Sequence, residues 1–307
     1  MTSYYPSFQD RLRLKISLIT EQYLKFPRKT IPYLLSFIFC KVLDFLLRSS
    51  KKSITKCIRG ITYQLDTRDL IDFRLFYFGC NENHLVNYLR NEIEEAPAVL
   101  WDIGVNIGSV SLPLLAACPN LVIHAFEASP PVFDRLKTNV DMNGLTKIKL
   151  HQIALGNECK QVDFFASSTV GNSGVGSLAH TNNSATTPVR VDCYTGDSIL
   201  ANKIAAQPSF IKIDVEGFEG EVLAGMTSLL KTASNLQIIF EHEPYRLKER
   251  GMAPDTIVNT LINLGYEIYL ISHKDAFYDI SQNSLNKFDS SMLNHKCDFV
   301  AIRRSVE

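Results

Sequence analysis

The stretch AVLWDIGVNIGSVSLPLL, residues 98–115, carries an acidic residue and two glycines where a buried strand gives way to a helix. Asp102, Gly104, Asn106 and Gly108 form the expected turn. Glycine permits positive φ and close approach of a ligand, and the helix start beyond it presents unpaired N–H groups. The turn therefore reads as a cofactor cradle. From residue 98 onward, short β-branched runs alternate with helical patterns, the signature of a parallel sheet covered by helices. Strands are expected at 98–103, 121–127, 147–153, 208–214, 235–241, 266–271 and 296–302. Helices are expected near 108–117, 130–143, 195–202, 218–231 and 254–264, with Pro130 and Pro254 as starts and Gly144 and Gly265 as stops.

The 307 residues suffice for one large α/β domain with an N-terminal extension. The expected division is a basic, apolar helical extension over 1–60, a cap segment over 61–95 and the main domain over 96–307. Formal charge is zero overall, yet residues 1–60 hold 12 Lys/Arg against 3 Asp/Glu. The remainder is correspondingly acidic and lacks a basic patch interleaved with aromatics, so a nucleic-acid partner is not expected. The seven cysteines are scattered without a CxxC pair, which fits reduced thiols in a cytoplasmic protein rather than zinc or disulfides.

No cleavable signal is read at the N-terminus. IPYLLSFIFCKVLDFLL, residues 31–47, would make a helix roughly 25 Å long, short of the roughly 30 Å hydrocarbon core. Ser36, Cys40, Lys41, Asp44 and Arg48 fall on one stripe, and Leu35, Phe39, Val42, Leu43 and Leu46 cover most of the rest. Two readings stay open: packing on the main domain or a second subunit, as in a homo-oligomer, and peripheral contact with the inner face of a membrane through the basic stretch 25–56.

GxGxxG is absent. Asp102 beside the turn suits a sulfonium or ammonium better than a pyrophosphate, which a carboxylate would repel. Glu127 ends the second strand, 23 residues after Gly104, where a carboxylate accepts hydrogen bonds from ribose hydroxyls. Together these favour S-adenosylmethionine over a nicotinamide dinucleotide.

DIGVNIG, AFEASP, ALG at 154–156, GVGSL and IKIDVEGFE at 211–219 resemble the FkbM family of S-adenosylmethionine-dependent methyltransferases, over roughly residues 60–302. The resemblance implies a class I, Rossmann-like α/β fold: seven strands, the last antiparallel, with helices on both faces. It also implies O-methylation of a sugar, glycolipid or other small hydroxylated acceptor, and S-adenosyl-L-methionine as cofactor. By the same similarity Asp102, Gly104, Asn106 and Gly108 fall on the cofactor turn, Glu127 on the ribose, Ala154 beside adenine and Glu82 near the cofactor's amino-acid end. Val105 and the TGD at 195–197 depart from the family's usual alanine and Thr-Leu-Asp.

A hydroxyl is a poor nucleophile and needs a base or a metal. The ends of strands four and five offer Asp214, Glu216, Glu241 and His242. His242 is the preferred base for its pKa near neutrality, with Asp214 and Glu216 beside it. Glu216 also reads as a helix-start carboxylate. Asp214, Glu241 and His242 would suit a divalent cation, but no dense metal motif supports one, and none is assigned. The Gly/Ser/Thr/Asn-rich segment 166–187, with Ser177, reads as a connector or as a lid over the acceptor. A non-catalytic protein retaining the fold and, more remotely, a dehydrogenase remain alternatives.

Overall fold

A computed structural model describes residues 12–18, 33–47, 53–94, 96–165, 188–271 and 285–303. After a helical segment over 12–18 (α1), the chain forms α2 (Tyr33–Leu47), a hairpin of β1 (Ile54–Ile58) and β2 (Ile61–Leu65), then α3 (Leu70–Phe78) and α4 (Asn83–Ile93). The first half of the main sheet follows: β3 (Ala98–Ile103), α5 (Ser111–Ala117), β4 (Leu121–Phe126), α6 (Pro130–Met142) and β5 (Ile148–His151). Next come the short β6 (Ala154–Leu155), β7 (Lys160–Phe164) and β8 (Val189–Tyr194), which form a small separate sheet. The second half runs α7 (Gly196–Ala201), β9 (Phe210–Ile213), α8 (Glu219–Ala224), α9 (Thr227–Thr232), β10 (Gln237–His242), α10 (Pro244–Glu249) and α11 (Thr256–Asn263). It closes with β11 (Glu267–Ile271), β12 (Leu285–Lys287) and β13 (Cys297–Ile302).

The main sheet has the order β12-β11-β13-β10-β9-β3-β4-β5. β3, β4, β5, β9 and β10 run parallel, and β13 pairs antiparallel with both β10 and β11. This is the expected class I methyltransferase arrangement, with one addition. The three-residue β12 extends the edge by pairing with β11, and LNK carries no hydrophobic alternation by which to foresee it. The order reverses between β3 and β9, where parallel sheets open a crevice beyond the strand ends.

Alternating side chains along each strand feed two cores. Leu100, Ile123, Ile239 and Val300 face the hairpin, α3, α4 and α5, and Trp101, Ile213, Phe240 and Phe299 face α8, α9 and α11. The expected helix over 218–231 is broken in two. A Cβ at Gly225 would lie 1.9 Å from the Gly156 carbonyl oxygen, so the chain turns where backbone meets backbone.

The boundary expected at residue 60 cuts through the β1–β2 hairpin, whose turn is Arg59-Gly60. Ile54, Ile58, Tyr63 and Leu65 bury themselves in the same core as β3 and β4, so the cap begins at β1 and is continuous with the main domain. α3 is well delimited: the Asp69 side chain accepts from the N–H groups of Ile71 and Asp72, and Gly79 closes the helix at φ +70.

Helix α2 turns Cys40, Lys41 and Asp44 toward the protein. Asp44 is fully buried and accepts hydrogen bonds from Arg13 (2.8 Å), Tyr77 Oη (2.9 Å) and Thr67 Oγ1 (3.1 Å). Lys41 Nζ lies 4.0 Å from the centre of the Phe73 ring. Replacing Asp44 with alanine removes the carboxylate that balances the charge of the buried Arg13 guanidinium. Thermal denaturation should show a loss of about 3–5 kcal/mol. Among the described residues, no helix is long and apolar enough to cross a membrane.

Candidate active site

A cavity of about 480 Å³ opens at the reversal of strand order, bounded by the ends of β3, β4, β9 and β10 and by the start of α4. Its volume falls in the range of small-molecule sites. The β3 turn explains the crowding. Gly104 takes φ +80, and a Cβ there would lie 1.9 Å from the Asp214 carbonyl oxygen, so only glycine lets the turn reach β9. Asn106 adopts φ +54 and donates its backbone N–H to Glu127 Oε2 at 3.1 Å, while Glu127 Oε1 accepts from Ser129 N–H at 2.8 Å. Glu127 thus braces the β3 and β4 turns together and keeps free lone pairs on both oxygens.

Of the residues assigned to the cofactor, Gly104, Asn106, Glu127, Ala154 and Glu82 line the cavity. Asp102 and Gly108 do not. The Asp102 carboxylate is fully buried, accepts from Ser111 Oγ at 2.6 Å and lies 3.6 Å from Lys212 Nζ. It anchors α5 and Lys212 beneath the turn and does not line the cavity. Gly108, at φ +87, is needed for packing, because a Cβ would press on Leu112 and Leu136.

Asp214, Glu216 and Glu241 line the cavity as well. His242, expected as the base, does not line the cavity. Along β10, Ile239 and Glu241 share one face and Phe240 and His242 the other, so Glu241 enters the cavity and the imidazole enters the opposite core. His242 is fully buried beside Phe299, its Nε2 is 3.1 Å from the Leu293 carbonyl, and burial lowers its pKa. It therefore cannot join Asp214 and Glu241 around one ion. Segment 166–187, with Ser177, lies outside the described residues.

Four cations that sequence reasoning passed over complete the site. Lys212, in the fully buried strand FIKI, reaches Asp214 at 3.3 Å as well as Asp102. Burial opposes its charge, but Asp214, Asp102 and Glu82 outweigh it and hold its pKa well above the usual value. A lysine inside an otherwise apolar strand was the available signal, since a buried ammonium demands partners. Arg246 pairs with Glu216 at 2.6 Å, and Lys296 pairs with Glu241 at 2.5 Å and Glu243 at 3.5 Å. Arg74 also lines the cavity, and its buried Nε has no partner among the described residues.

The carboxyls outnumber these cations, and burial shows in their acidities. Burial pushes Glu127 up to about 7, against the pull of its two backbone N–H bonds. Glu82 and Glu241 are raised as well, by burial foremost and then by neighbouring carboxylates, Asp214 above all. Outside the cavity, burial likewise lifts Asp72 and Glu219 to about 7. Each of these groups holds its proton longer folded than unfolded, so each favours the fold at low pH and loses that contribution as pH rises through its folded pKa. His124, lowered to about 4 by burial, opposes this trend only below its ordinary 6.5. The melting temperature of the ligand-free protein is therefore expected to fall between about pH 6.5 and pH 9.

A family model described as the methyltransferase FkbM domain matches residues 102–268. The chain belongs to the FkbM methyltransferase family. One relative, the hexuronic acid methyltransferase AglP of Haloferax volcanii, is 33% identical over 153 residues, 50% of this chain and 59% of that protein. A second, methyltransferase 1 of Beauveria bassiana, is 28% identical over 141 residues, 41% of this chain and 57% of that protein. The chain thus spans less than two thirds of either relative. Among solved structures, a putative transferase of Pyrococcus horikoshii superposes at TM-score 0.44 with 13% identity, covering 97% of this chain and all of that one.

Proposed function

We propose that this FkbM family member transfers a methyl group from S-adenosylmethionine to a hydroxyl of a sugar or other small hydroxylated acceptor. The observation that carries this reading is the acid-rich cavity at the strand-order reversal, with Glu127 buried at the end of β4 and braced by the Asn106 and Ser129 N–H groups. The donor set fits the cofactor. Glu127 has spare lone pairs for ribose hydroxyls, Ile153, Ala154 and Leu155 offer an apolar wall for a base, and the surrounding carboxyls suit a cationic sulfonium. When bound, S-adenosylmethionine supplies a methyl group activated by positively charged sulfur.

With His242 turned away, Glu241 takes the part of base. Its raised proton affinity lets it accept the acceptor's hydroxyl proton as the oxygen becomes a nucleophile. Lys296 and Lys212 hold Glu241 and Asp214 in place, and Arg246 holds Glu216. The cap borders the cavity, its α3 and α4 supplying Leu70, Ile71 and Asn83.

Arg74 brings to the cavity a guanidinium suited to a carboxylate, either that of the donor or that of a uronic acid acceptor. Arg74→Ala should separate the two: weakened binding of S-adenosylhomocysteine assigns it to the donor, and a raised KM for acidic but not neutral sugars assigns it to the acceptor. The reaction itself is tested by mass spectrometry of an extract from the source organism, incubated with purified protein and cofactor. A hydroxylated molecule gaining one methyl as an ether is expected. Methylation confined to nitrogen or carbon would contradict the proposal.

A further inference from the structure

Helix α2 has its amphipathicity turned inside out. Its polar residues face the protein: Asp44 is buried against Arg13, Thr67 and Tyr77, and Lys41 is laid over Phe73. Its large apolar residues face outward, with Phe45 74%, Leu46 67%, Phe39 63%, Val42 54% and Ile38 49% exposed. At about 100° per residue these five fill a continuous arc of about 120°. Scattered exposed apolar residues need no explanation, but a contiguous stripe of five marks a surface that something covers.

The buried Arg13–Asp44 pair fixes which face points out. Rolling α2 over to hide its apolar side would separate these opposite charges and break the Asp44 bonds to Thr67 and Tyr77. The segment that Arg13 ties to α2 exposes Leu18 and Lys15 as well.

We infer that the outward face of α2 docks on an anionic lipid surface. Charge selects this occupant. Residues 1–60 carry 12 Lys/Arg against 3 Asp/Glu, and Lys25, Arg28, Lys29, Arg48, Lys51 and Lys52 flank the helix in sequence. Two copies meeting through this face would bring two strongly cationic segments together, whereas an anionic headgroup layer attracts them. Length selects the mode. A 15-residue helix reaches about 22 Å, too short for a hydrocarbon core of about 30 Å, so α2 lies in the interface with its apolar arc down. The inward polar face keeps the catalytic domain on the water side, and a glycolipid acceptor would then be met at the surface where it resides.

The test is co-sedimentation of the full chain with vesicles of phosphatidylcholine plus phosphatidylglycerol, against phosphatidylcholine alone, with Phe39→Gln/Phe45→Gln as the variant. Neither residue touches the cavity or the core, so the variant should melt like the parent and bind S-adenosylhomocysteine equally. The parent is expected to sediment with the anionic vesicles, less so at high salt, and the variant to bind at least about tenfold more weakly. Failure of the parent to bind anionic vesicles, equal sedimentation of parent and variant, or a dimer in solution that the variant dissociates would each overturn the inference. None of these outcomes depends on whether methyl transfer is observed.

Discussion

Gly104→Ala is expected to cost more than about 3 kcal/mol of stability and to remove detectable donor binding in whatever fraction still folds. The added Cβ would meet the Asp214 carbonyl oxygen at 1.9 Å and the Asp214 carbonyl carbon at 2.9 Å, both backbone atoms that no rotamer change can move. Relief requires β3 and β9 to part, and that opens the turn bracing Glu127. Gly60 is the control. It has φ +85 in the β1–β2 turn with nothing within 4 Å of a Cβ, so Gly60→Ala should cost only the left-handed strain of about 1–2 kcal/mol and leave ligand affinity unchanged. Melting curves and calorimetric titration of the two variants separate strain from collision.

Glu241→Gln is expected to lower kcat by about 10²–10⁴-fold while preserving the affinity for S-adenosylhomocysteine. Glutamine keeps the shape and the contact with Lys296 but cannot take a proton. Because burial and the Asp214 charge raise the Glu241 pKa, parent activity should increase with pH as this carboxyl ionises, and that limb should vanish in the variant. His242→Ala is expected to behave differently. It opens a hole beside Phe299 and destabilises the fold, yet the folded enzyme keeps most of its turnover, since the ring lies outside the cavity.

Glu241 and His242 also show where sequence reasoning reaches its limit. The strand QIIFEH was legible from its β-branched and aromatic content, but which of two adjacent residues enters the cavity depends on register. A shift of one residue exchanges the faces, and here the pairing with β9 and β13 decides. Asp102 tells the same story on β3: its place at the end of the strand was visible, while its alternation with Trp101 and Ile103 carries it under the turn. DIGVNIG and Glu127 were legible because glycine, asparagine and a strand-end acid serve backbone geometry within one βαβ unit.

Other features depend on contacts between distant parts of the chain. Arg74, Lys296 and Arg246 reach the cavity from α3, the approach to β13 and α10, segments with no mutual signal in sequence. The amphipathic stripe of α2 was plain, yet its orientation was set by Arg13, Thr67 and Tyr77 gathering on Asp44. Two buried-charge arguments, applied to Lys212 in β9 and Asp44 in α2, would have flagged both as needing partners, though not which ones.

The cavity where β3, β4, β9 and β10 end is expected to hold the methyl donor through Glu127. Isothermal titration of the folded chain with S-adenosylhomocysteine tests it most directly, with Glu127→Ala in parallel. One site is expected in the parent, with affinity at least about tenfold weaker in the variant, which forfeits hydrogen bonds to a charged acceptor. No binding to the folded parent, or equal affinity in the two proteins, would contradict it.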